Sequence, residues 1–177
     1  MILFTINPLE WVHSIPGGGH LIAAIIALVT GPILFMRHKA TVTHRMVGYV
    51  FILSMLVTNV SALLMYDFTG YPNLFHFFAL LSLYSLLPGI FYLVKYIRTR
   101  DIAALELHGR LMVWAYYGLA AAGFAQMASR ILPTYTGSFT TSFAIIGATL
   151  GLAGVIANWK VKSIIAPLVD RYGTPAE

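Results

Sequence analysis

The sequence predicts an all-α integral membrane protein of five transmembrane helices, the first four arranged as a four-helix bundle. Three observations carry that prediction. Of the 177 residues, 59% are hydrophobic and 10% charged, with a mean hydropathy of +0.81; soluble domains hold about 45–50% apolar and about 25% charged residues. Five apolar stretches, 20–36, 46–66, 75–97, 109–131 and 139–158, approach the roughly 20 residues that a spanning helix needs. Every Lys and Arg except Arg130 falls on one side of the up-and-down path that those stretches define.

The elements follow in order. Residues 1–19 hold Glu10, Pro8 and Pro16 and no basic run, so they read as an extracytoplasmic N-terminal segment and not as a cleaved signal peptide. Gly17, Gly18 and Gly19 read as a flexible hinge before the first span. Breakers separate the spans at 37–45, 67–73, 98–106 and 133–138. Pro32 and Pro88 fall inside spans, where neighbouring groups can satisfy the carbonyls they free. Residues 159–177 read as a cytoplasmic tail. Arg37, Lys39 and Arg45 flank the first loop, Lys95, Arg98, Arg100 and Arg110 the third, and Lys160, Lys162 and Arg171 follow the last span. The positive-inside rule makes that face cytoplasmic, with the N-terminus outside and the chain in a bacterial inner membrane. Trp11, Tyr66, Tyr71 and Tyr135 suit the outer interface, and Tyr49, Tyr96 and Trp159 the inner one. The net charge of +5 comes from this asymmetry, which argues against nucleic-acid binding. No cysteine is present, which excludes disulfides, thiolate-held iron–sulfur clusters and covalent CxxCH haem attachment.

Four histidines give the chain its chemistry. His20, His44, His76 and His108 sit one to a span, each at or near its start. An up-and-down path therefore places His20 and His76 at the outer end and His44 and His108 at the inner end. With a rise of ~1.5 Å per residue, His20 and Arg37 differ in depth by ~25 Å. Imidazole is a common axial ligand of haem iron, and two from facing helices fill both axial positions, which suits electron transfer over oxygen binding. Small residues lie on the same helix faces: Ala24, Ala27 and Gly31 below His20, Gly48 below His44, Ala115 and Ala122 below His108. They let a macrocycle, or another helix, approach the backbone. Below His76 the face is Leu80, Leu83 and Leu87, a wall in place of a slot. Arg45 and Arg110 are candidates for the carboxylate tails of an inner haem, and Arg130 for those of an outer haem or for an anionic substrate. The plainer role of Arg45 and Arg110 is as positive-inside flanks, and that of Arg130 is to snorkel to headgroups. His13 and His38 read as surface or loop residues, His13 being a spare outer ligand at most.

With four spans each giving one histidine, the chain resembles the transmembrane di-haem cytochromes of the cytochrome b561 class. That resemblance covers about residues 20–131 and implies a haem-binding bundle with two b-type haems. It pairs His20 with His76 and His44 with His108, and leaves span five peripheral. It further implies electron carriage across the membrane from a small-molecule donor such as ascorbate, or a quinol, to an acceptor that the sequence does not name. It is a resemblance of architecture and extends to no ascorbate-binding string. The segments THRMVGYVFILS and ELHGRLMVWAYYGLAAAGFAQMASR also resemble small bacterial membrane proteins of unassigned function.

Two other classes stay open. Paired histidines could pass copper or iron in a permease or metallochaperone, which ordinarily adds Met, Cys or carboxylate ligands. The seven methionines are not clustered with the histidines, and no Asp or Glu lies within a span core. A cofactor-free assembly or scaffold protein is the other, told apart by the absence of a chromophore. For the electron carrier, the outer docking region is the 67–75 loop with Arg130 and Tyr135. The inner one is the cluster of Lys39, Arg45, Lys95, Arg98 and Arg110, which would attract an anionic donor. A homo-oligomer is allowed; the sequence does not set its size.

Overall fold

A computed structural model describes residues 15–39, 41–66, 71–72 and 74–173. All regular structure among them is helical: α1 (Ile15–Met36), α2 (Val42–Leu64), α3 (Leu74–Thr99), α4 (Ile102–Thr136) and α5 (Phe139–Gly173). The chain is an all-α membrane protein, as its composition predicts. α1, α2, α3 and α5 are each long and apolar enough to cross a bilayer. α4 is more polar, with Glu106, Arg110 and Arg130 on its flanks, but residues 111–129 carry no charge. Large apolar side chains stand exposed along the helices, among them Leu53, Phe91, Leu152 and Val155. Exposed apolar surface on that scale marks a lipid-facing protein.

The chain divides into two compact units, residues 1–79 and 80–177. In the first, α1 packs against α2. α1 buries Ala23, Ala27 and Leu34, and α2 buries Phe51, Ser54, Met55, Thr58 and Asn59. Spacings of three and four residues put each set on one helix face. The alanines of α1, read from sequence as flanking a slot, thus lie on its buried face, where small side chains let helices approach. Thr41 caps α2, its hydroxyl accepting from the His44 backbone N–H at 3.1 Å. Lys39 closes α1 by donating to the carbonyls of Leu34, Phe35 and Arg37.

In the second unit α4 packs against α5. α4 turns a small-residue face inward, with Ala104, Ala115, Gly118, Ala121, Ala125 and Ala128 buried. A Cβ on Gly118 would stand 3.4 Å from the Cβ of Ser82, so α3 and α4 come close there. The Tyr117 hydroxyl donates to the Leu150 carbonyl of α5. The α3–α4 turn is tied by Lys95 and Asp101 at 2.7 Å, and Asp101 also caps α4 by accepting from Ala103 N–H. Gly137, at φ 66°, ends α4 in a left-handed cap that a residue without Cβ adopts freely.

Three boundaries differ from the sequence expectation. Gly17, Gly18 and Gly19 are no hinge: α1 runs through them from Ile15. A glycine in a helix costs about 1 kcal/mol relative to alanine, but near a bilayer the helix is the conformation that satisfies its backbone. α4 starts six residues before His108, so that histidine lies within the second turn and does not open the helix. α5 continues through most of the segment read as a tail, and Val161 and Ile165 are buried; Ile165 would touch a Cβ on Gly109 at 3.4 Å. Both α1 and α3 pass through their internal prolines, Pro32 and Pro88. The N-terminal segment with His13 and Trp11, most of the 67–75 loop, the end of the tail, and the side chains of Lys162 and Arg171 lie outside the described residues.

Candidate functional site

His20 and His108 each have a ring nitrogen bound to a neighbouring helix, and the bonding partners decide the tautomer. His20, in the second turn of α1, sets Nδ1 3.1 Å from the Thr58 carbonyl and 2.9 Å from the Ser61 Oγ of α2. A carbonyl can only accept. The Ser61 hydroxyl donates within its own helix, with the Val57 carbonyl at 2.6 Å and the Thr58 carbonyl at 3.1 Å, so toward His20 it also accepts. Nδ1 must then carry the proton, and in the neutral ring Nε2 holds the lone pair. The same argument applies to His108, whose Nδ1 lies 2.9 Å from the Gly89 carbonyl of α3. Nδ1–H donating to a backbone carbonyl while Nε2 is left for a ligand is the usual state of a metal-bound histidine. Haem iron is therefore chemically compatible with both residues.

His76 lies at the start of α3 and is buried, 6% exposed. Tyr66, two residues beyond α2, sets its ring 4.7 Å from the imidazole, tilted by 35°. Since His20 bonds to the last two turns of α2 and His76 lies against Tyr66 just past it, the structure brings both to one end of α2. His44, in the first turn of α2, is ~25 Å away along that helix at 1.5 Å per residue. Its Nδ1 and the Nε2 of His76 are both shielded from solvent.

The arginines differ in situation. Arg45 and Arg130 are exposed. Arg110 lies 3.8 Å from Glu106, one turn earlier on α4, so its charge is partly met on its own helix. Tyr135 is exposed near the end of α4. Among the described residues, no group of three or more His, Asp or Glu gathers as a metal ion would require.

Sequence reasoning missed the acceptors. Thr58 and Gly89 act through carbonyls, which any residue has, so no side-chain pattern marks them. Ser61 had a weak signal, a hydroxyl near the end of a span that follows a span carrying a histidine. Gly89 had another, a glycine within a span: a Cβ there would overlap the Met112 Cε and stand 3.2 Å from the Leu111 Cβ, and its absence lets α4 close on α3.

The protein family described as predicted membrane protein (DUF2306) matches residues 18–166, a segment holding all four candidate histidines and all three candidate arginines. That match bears out the likeness to small membrane proteins of unassigned function and does not extend to the di-haem cytochromes. No match was found among curated proteins or among solved structures.

Proposed function

The chain belongs to the DUF2306 family of predicted membrane proteins, and we propose that it carries electrons across the bilayer with two b-type haems held by paired histidines. The supporting observation is the bonding of His20 and His108: each donates Nδ1–H to a helix carbonyl and so presents Nε2 as a ligand. His20 and His76, at one end of α2, form the outer pair; His44 and His108, assigned to the other leaflet by the up-and-down topology, form the inner pair. A two-imidazole site suits a porphyrin, which supplies four iron ligands itself, better than a bare ion that needs three or four from the protein. This favours the haem reading over a copper or iron permease. Haem bound there supplies a one-electron store within the bilayer.

The protein's part is to orient the imidazoles, exclude water and set the local charge. Arg45, exposed beside His44, is better placed than Arg110 to meet an inner carboxylate tail, because Glu106 already draws on Arg110. Arg130 is the outer counterpart. The one-sided basic residues orient the N-terminus outward and the C-terminus to the cytoplasm of a bacterial inner membrane. The donor is a small molecule or quinol.

The function is tested in liposomes containing the full chain, with reductant enclosed and an impermeant ferric acceptor outside, and with the two sides exchanged. Acceptor reduction that requires the protein and each of the four histidines is the expected result. Haem-loaded protein that passes no electrons in either direction, with ascorbate or quinol donors, overturns the electron-carrier function.

A further inference from the structure

His20 and His108 differ in how many acceptors hold Nδ1. His108 Nδ1 has the Gly89 carbonyl. His20 Nδ1 has both the Thr58 carbonyl and the Ser61 hydroxyl oxygen. The Ser61 hydroxyl has carbonyls of the preceding turn for its own hydrogen, Val57 at 2.6 Å and Thr58 at 3.1 Å, which leaves its oxygen to accept from the imidazole.

We propose that Ser61 is a positioning residue that makes His20 the stronger electron donor of the two, and so lowers the potential of the centre that His20 ligates. The inference rests on the reading above that His20 binds haem iron. Its physical basis is direct. An Nδ1–H that donates to an acceptor moves electron density toward Nε2 and raises its basicity as a ligand. A more basic axial ligand favours ferric over ferrous iron, and axial ligation with its outer hydrogen bonds is one of the protein's main controls on haem potential. A second acceptor on His20 acts in the same direction as the first. A potential step of this sign drives electrons from the His20 centre toward the His108 centre, opposite to the direction implied by an anionic donor at the basic face.

The test uses the full chain in mild detergent, loaded with ferric haem and titrated potentiometrically on its α-band. Wild type should show two midpoints. Ser61→Ala should move the lower one upward and leave the other in place; Ser61→Thr, which keeps the hydroxyl, should restore it. Ser-to-Ala is favourable to a helix, so the variant keeps its fold. A second readout needs no haem: in the 15N-histidine NMR spectrum of the haem-free protein, His20 should be the Nδ1–H tautomer, with a shift that Ser61→Ala alters. Two haems bound with the lower midpoint unmoved in Ser61→Ala would overturn the inference alone. Protein that takes up no haem would overturn the reading beneath it and the inference with it.

Discussion

An imidazole inside a bilayer has two polar nitrogens, and leaving either unmet costs free energy. His20 and His108 satisfy Nδ1 with helix carbonyls, which directs any ligand to Nε2. If the pairing is right, His20→Ala and His76→Ala should each leave about one haem per chain and remove the same spectral component, while His44→Ala and His108→Ala remove the other; four variants that all retain both haems would contradict it. Gly89 offers an independent check. A methyl there meets the flexible end of Met112, which can swing away, and the Leu111 Cβ at 3.2 Å, which cannot. Gly89→Ala should therefore cost about 1–2 kcal/mol, the scale of modest overpacking, and lengthen the bond to His108; thermal unfolding in detergent reads the first effect and haem retention the second. At this scale the histidines were legible because four of the six recur one to an apolar span. Their partners were not, because a carbonyl such as that of Thr58 has no letter of its own and only packing selects it.

The helices outrun their apolar cores. α4 has 35 residues, about 52 Å at 1.5 Å per residue, against a hydrocarbon core of about 30 Å. Apolar stretches therefore located the helices but not their ends: a helix continues into the interface wherever caps and packing hold it, as Asp101 holds α4 and Ile165 holds α5. The glycines before His20 were misread for the same reason, since their backbone bonds are better met in α1 than in an open hinge. Removing a cap should show locally. Thr41→Ala deprives the His44 N–H of its acceptor, a loss of about 1 kcal/mol, and should speed hydrogen exchange at His44. The α3–α4 turn should respond to acid. The Lys95 ammonium bonded to Asp101 holds that carboxyl below its ordinary range, aided by the amides of Ala103 and Ala104. A depressed carboxyl contributes stability above its unfolded pKa and loses it as pH falls through the folded value. The protection of the Ala103 amide, its exchange rate set against the intrinsic rate at each pH, should thus hold at neutral pH and fall only below the usual carboxylate range; protection that falls on raising the pH from neutrality would contradict the assignment.

For the whole molecule, membrane residence and helical class follow from composition alone, because 59% apolar residues in long runs have few other uses. The division into two units, and the direct packing of α1 on α2 and α4 on α5, were beyond reach: small residues at helical spacing serve a helix neighbour and a cofactor equally well. The proposed function rests on His20, His44, His76 and His108 acting as two ligand pairs, and its presence or absence is visible. The full chain, expressed in haem-replete cells and purified in mild detergent, should show a Soret band, a sharp α-band after dithionite, and close to two haems per chain by pyridine haemochrome. A folded, colourless protein that takes up no added ferric haem would contradict the account.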